Sequence, residues 1–380
     1  MAWLRPRRIV ALALLVAALT SGLVYGSWIA AQARAVVVLS TALRTPLLTW
    51  TVRKLTDEPR VEEIVVAGVP ATLVRPGGGD GPWPAFVFLN GATELGRKHP
   101  DVQRLARGLA RAGYLVLVPD LPGLVRGELT GRSVDTAVAL ARSTAGRPDS
   151  KGRVALFGVS LGASIALLAA ERPELRGRVS VVVGIAPYAD IADVIRLATT
   201  GYSREGDRLV LYRPGRFLAL SVGRSLIAGL PPGSERDRLA RLLVGVRSDA
   251  TFPLAGLAHL DPASLSTAAR ATVALLVNRD PRRFDALYAA LPPELRAELE
   301  LLSPLGGAAR LDMPVELASA PHDPYFPPAQ SRLLAQAAPD VHVTVTEAFS
   351  HVIPEPSLTD PGDLLSFDGW AVRALRAARR

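Results

Sequence analysis

Three residues in this chain have the types and the order for acyl-transfer chemistry: Ser160, within Gly158-Val-Ser-Leu-Gly162, then Asp323, then His351. A serine hydroxyl is a poor nucleophile at neutral pH. It needs a base within hydrogen-bond reach and a carboxylate that orients that base. The plain alternative for Ser160 is a small residue at a tight turn. Other chemistries are narrowed by composition. There is no cysteine, which excludes disulfides, thiolate catalysis and Cys-ligated zinc or iron–sulfur sites. Neither His-Glu-x-x-His nor Gly-x-x-x-x-Gly-Lys occurs, so neither a metal nor a phosphate-binding loop is implied, and no cofactor is expected.

The elements around these residues must do the positioning. Val154 to Phe157 reads as a buried strand and Leu161 to Glu171 as a helix, so Ser160 falls on the bend between them. Glycines two before and two after leave room where side chains would collide across that bend. Met313 to Ala318 reads as a strand just before Asp323. Val341 to Thr346 alternates as a half-buried strand does, with His351 five residues later. Upstream, Val61 to Val66 and Ala71 to Val74 flank a hairpin turn. Ala85 to Leu89, Tyr114 to Val118 and Val179 to Ile185 read as strands separated by helices at Pro100 to Arg111 and Ser133 to Arg142. Alternation of this kind predicts a mostly parallel sheet covered on both faces.

A Gly-x-Ser-x-Gly bend between strand and helix, followed by acid and base each just after a later strand, resembles the α/β-hydrolase superfamily. The resemblance runs from about Val61 to Arg380, apart from one long insertion, and is specific for fold and triad rather than substrate. It implies Ser160 as nucleophile, His351 as base and Asp323 as acid. Asp190, after the preceding strand, is the alternative acid. The other histidines suit the base less: His342 lies within a strand, His322 abuts Asp323, His259 lies in the insertion, and His99 could touch substrate. Asn90-Gly-Ala-Thr93 stands where the family carries a His-Gly oxyanion loop, with Asn90 in place of the His. The resemblance makes the backbone N–H groups of Ala92 and Leu161 the oxyanion donors. An ordinary strand-to-helix turn is the alternative there.

From Ala192 to Ala309 the alternation stops and helices dominate, punctuated by Pro231-Pro232 and Pro292-Pro293. An all-helical cap over the serine is the expectation, inserted before the acid-bearing strand; a flanking helical domain is the alternative.

Charge and hydropathy locate the N-terminus. The net charge is +9, and residues 1–60 hold eight basic residues against Asp57 and Glu58. No basic stripe with interleaved aromatics appears, so nucleic-acid binding is not expected. Ile9 to Ala31 carries no charge and is long enough to span a bilayer, with Arg5, Arg7 and Arg8 on its cytoplasmic side. It is an uncleaved signal anchor or a signal peptide cut near Ala33-Arg-Ala35. Ala35 to Val52 reads as an amphipathic stem, on the membrane surface or packed on the hydrolase.

The expected organisation is therefore 1–35 anchor, 36–60 stem, 61–191 first part of the core, 192–309 cap and 310–380 second part. The expected activity is that of an esterase outside the cytoplasm, membrane-anchored or secreted, whose partners are a small ester substrate and the membrane. An amidase, peptidase, thioesterase or acyltransferase on the same fold is a second reading, and a non-catalytic binding scaffold a third.

Overall fold

The computed structural model describes residues 26–42, 46–247, 250, 253–351, 353–354 and 360–380. Helices α1 (26–42) and α2 (Pro46–Leu55) precede strands β1 (Arg60–Val66), β2 (Val69–Arg75) and β3 (Trp83–Leu89). Helix and strand then alternate: α3 (Pro100–Arg111), β4 (Leu115–Pro119), α4 (Gly131–Ala145), β5 (Ser150–Val159), α5 (Leu161–Ala170) and β6 (Val179–Ile185). A long excursion follows. It comprises α6 (Ile191–Thr200), β7 (Tyr202–Glu205), β8 (Arg208–Leu211), α7 (Arg216–Ala228), α8 (Ser234–Arg241), α9 (Ala255–Ala258), α10 (Thr267–Leu276), α11 (Phe284–Ala289) and α12 (Pro293–Leu301). The core resumes with β9 (Val315–Ser319), α13 (Pro328–Ala337), β10 (Val341–Val345), the short pair β11 (Phe349–Ser350) and β12 (Ile353–Pro354), and α14 (Pro361–Ala377).

Eight strands form one sheet in the order β1-β2-β4-β3-β5-β6-β9-β10. β2 runs antiparallel to both neighbours and every other pairing is parallel. Parallel strands are covered on both faces, which is why Leu115-Val-Leu-Val-Pro119 is buried throughout. Side-chain alternation divides the core into two layers. Along β3, Ala85, Val87 and Leu89 face one layer with α4 and α5. Phe86 and Phe88 face the other, with α3 and α14. From β3 the chain crosses to β4 on one side and returns to β5 on the other. The carboxyl ends of β3 and β5 therefore diverge, and a crevice opens between their loops. Asn90-Gly-Ala-Thr93 and Ser160 stand at those two ends.

One expectation needs correction. The insertion is not all-helical, because β7 and β8 form an antiparallel hairpin in it. Its signal is Gly206-Asp207, a two-residue turn with Gly206 at φ 59°, between Tyr202-Ser-Arg-Glu205 and Arg208-Leu-Val-Leu211. The stem region holds two described helices, and the first of them packs on the core. The described part of α1 (26–42) takes in the end of the expected span, and residues 43–45 between it and α2 lie outside the described residues. Ala31, Ala35 and Val38 lie on one face of α1 and are buried in the layer with α3 and α14. Small residues permit that contact: a Cβ added at Gly108 of α3 would stand 3.2 Å from Thr41 Cβ. Gln32 Nε2 also donates to Asp368 on α14 at 2.7 Å. Among the described residues no helix is long and apolar enough to cross a membrane. Residues 9–25 of the expected span lie outside the described residues.

Candidate active site

Ser160 sits where β5 turns into α5, with φ 54° and ψ −126°. Its N–H donates to the Ile185 carbonyl at 2.8 Å, which ties the bend to the end of β6. The flanking glycines are required by close backbone approach. A Cβ on Gly162 would lie 2.1 Å from the Leu89 carbonyl oxygen, and one on Gly158 2.3 Å from Ala163 Cα. Neither neighbour can yield, since both are backbone.

Asp323 lies in the loop after β9 with its side chain fully buried. Its Oδ1 accepts from the N–H groups of Tyr325 and Phe326, both at 2.8 Å. His351 follows β11 with φ 51°. Its Nδ1 stands 2.8 Å from Asp323 Oδ2 and 3.0 Å from Oδ1. The Tyr325 ring packs edge-on against the imidazole, with centroids 4.6 Å apart. The Tyr212 hydroxyl donates to the Asp323 backbone carbonyl, so the end of the β7–β8 hairpin braces this loop. Burial, with the Asp323 charge second, pushes the Tyr212 and Tyr325 phenols above their ordinary range, so both stay neutral.

Asp190, the other carboxylate considered, caps α6: its Oδ1 accepts from Ala192 N–H at 2.9 Å. Of the remaining histidines, His322 and His259 are exposed. His342 lies on β10 beside Glu316 and Asp340. His99 caps α3, its Nδ1 accepting from Asp101 N–H at 3.3 Å, and it reaches the site.

Ser160 and His351 line one cavity of about 470 Å³, together with Ala92 and Leu161. The rest of its wall is largely apolar, including Phe88 from the core and Phe217 from the insertion. Phe217 and Leu218 bring α7 to the cavity wall, from a stretch whose apolar composition reads partly as packing among the insertion's own helices and partly as the inner face of a cap. Two wall residues, Tyr325 and Asn90, have no role that the sequence alone assigns. Tyr325 was within sight, two residues after Asp323. Asn90 is 3% exposed, and its Nδ2 has no hydrogen-bond partner among the described residues. With Nδ1–H given to the Asp323 carboxylate, Nε2 of His351 keeps its lone pair and can accept a proton.

The family described as the alpha/beta hydrolase fold matches residues 84–356. No curated protein matches the chain in sequence. Among solved structures, Est1E from Butyrivibrio proteoclasticus is similar at TM-score 0.48 and 10% identity, covering 83% of this chain and 96% of that one. Dipeptidyl peptidase 4 from Porphyromonas gingivalis matches at TM-score 0.47 and 12% identity, over 84% of this chain and 35% of that one. The Pyrococcus horikoshii acylaminoacyl peptidase matches at 0.45 and 12%, over 78% of this chain and 38% of its own length. The chain thus spans well under half of either peptidase. At these identities the likeness reaches neither substrate nor reaction.

Proposed function

Because the chain belongs to the α/β-hydrolase family and is therefore a hydrolase, we propose that it cleaves a carboxylic ester through an acyl-enzyme on Ser160. One observation carries the reading: the buried Asp323 carboxylate holds His351 Nδ1 at 2.8 Å, on the wall of the cavity that Ser160 also lines. In the reaction, Ser160 Oγ attacks the ester carbonyl while His351 Nε2 takes its proton. Asp323 keeps the imidazole in the correct tautomer and stabilises its cation. The oxyanion that forms is held by the N–H groups of Ala92 and Leu161, at the diverging ends of β3 and β5. His351 returns the proton to the departing alcohol. Water then cleaves the acyl group by the same steps in reverse.

The substrate is lipophilic, as the apolar cavity wall favours, and it is met at a membrane to which residues 9–31 tether the enzyme, with the catalytic domain outside the cytoplasm. A signal-peptidase cut after Ala35 would remove the first half of α1, including Ala31 at 1% exposure and Ala35 at 0%. That favours a retained anchor.

The test is labelling by a fluorophosphonate probe with turnover of matched p-nitrophenyl esters and anilides. Wild type should label and prefer the esters, and Ser160→Ala should lose both labelling and turnover. A wild type that labels but turns over only the anilides would overturn the ester reading. An unlabelled, inactive wild type would point to a binding scaffold.

A further inference from the structure

A second cavity, of about 100 Å³, lies in the layer between the sheet and helices α1, α3 and α14. Its wall is apolar throughout. Phe86, Phe157 and Val183 supply the sheet side, Val38, Leu39 and Ala42 come from α1, and Trp370 and Ala371 from α14. Leu105 and Ile185 line this cavity and the catalytic cavity alike, so those two side chains form the partition. Ile185 is also the residue whose carbonyl accepts the Ser160 N–H at 2.8 Å. The second cavity therefore begins one side chain away from the reacting serine.

We propose that this cavity receives the alkyl chain of the acyl group, with α1 as part of the substrate site, an inference that rests on the ester-hydrolase reading. Three features select the acyl chain as occupant. The wall offers apolar surface to each methylene that enters. The cavity adjoins the site, with only Leu105 and Ile185 between them. The order of the reaction also matters: the alcohol leaves first and needs the open cavity as its exit, whereas the acyl group stays bound to Ser160 until water arrives. A pocket within a helix layer suits the group that stays. The insertion contributes to the catalytic cavity through α7 alone among the described residues, and none of the residues lining the second cavity comes from it. Chain-length selectivity is thus assigned to α1, α3 and α14, not to the insertion.

The experiment uses the full chain and two opposite changes. In Ala371→Leu, and separately in Ala42→Phe at a half-buried position on α1, the added atoms fill the cavity. Leu105→Ala opens the partition. The quantity read is the ratio of kcat/KM for p-nitrophenyl hexanoate to that for acetate within each variant, so a general loss of activity cancels. Filling should lower the ratio at least about tenfold, the effect of displacing two methylenes at about 0.8 kcal/mol each. Leu105→Ala should move the optimum to longer chains. A readout independent of turnover is quenching of tryptophan fluorescence by 11-bromoundecanoate: wild type should show a quenched component that Trp370→Phe lacks. Ratios that stay at the wild-type value in all three variants, or quenching unaltered in Trp370→Phe, would overturn the inference and leave the cavity a packing void. If wild type hydrolyses no ester, the parent reading fails, and the quenching comparison decides the pocket by itself.

Discussion

Ser160 and His351 both hold left-handed backbone, at φ 54° and 51°, a region that costs a non-glycine residue on the order of 1–3 kcal/mol. Surrounding bonds over-determine each of them. Ser160 is held by its N–H to Ile185, and His351 by the carboxylate of Asp323, itself fixed by two backbone N–H groups. This makes the acid assignment testable at a single atom. Asp323→Asn preserves shape but lets an amide donate to Nδ1, which traps the wrong tautomer; kcat should fall by about 10⁴-fold with a far smaller change in KM. Asp190→Asn should leave both constants near wild type, because Asn caps a helix about as well as Asp. Steady-state kinetics of the two variants checks this, and a harmful Asp190→Asn beside a benign Asp323→Asn would move the role.

At the scale of elements, the site depends on how closely β5, α5 and the loop after β3 approach. Gly162 is where that distance is set, since its added Cβ would lie 2.1 Å from one carbonyl oxygen and 2.5 Å from the next, at Leu89 and Asn90. Gly162→Ala should therefore lower stability by about 1–3 kcal/mol, as overpacking does, and displace the loop that bears Ala92. Gly131→Ala at the start of α4 meets nothing within 4 Å and should be neutral or mildly stabilising. Denaturant midpoints of the two variants test the contrast. Equal shifts would show that backbone proximity is not what the elbow glycine serves. The hairpin β7–β8 and helix α7 act at this scale too: Tyr212 braces the acid loop and Phe217 lines the cavity that holds Ser160.

For the whole molecule, the N-terminal region has a packing role besides the proposed tether. Helix α1 buries Ala31, Ala35 and Val38 on the hydrolase, while Trp28, Ile29 and Val36 stay exposed. An element packed in this way cannot be removed freely, whether or not it also tethers the chain. A chain starting at residue 61 should melt lower and aggregate more than one starting at 26, because the layer holding Leu109 and Trp370 loses its cover. The full chain, if the anchor is retained, should remain with membranes through high-salt and carbonate washes. A soluble product whose N-terminus begins after Ala35 would show cleavage instead, and equal melting of the two truncations would show that α1 contributes no packing.

Local pattern was enough for a mostly parallel core and for the bend at Ser160, because each depends on neighbours a few positions away: alternating or continuous apolar runs, and glycines beside a bend; Asp323 and His351 came from the family resemblance. The hairpin at Gly206-Asp207 has as local a signal, but it is short and stands among helices. Other features depend on residues far apart in the chain. Asp323 rather than Asp190 meets His351 because β9 lies beside β6 and the loop beyond it is braced by Tyr212. Ala31, Ala35 and Val38 read equally well as membrane-facing or core-facing, since an apolar helix face does not name its partner. Leu105 of α3 and Ile185 of β6 become the partition between two cavities only when the sheet brings them together. Periodicity determines which side of an element is apolar, and tertiary packing decides what that side meets.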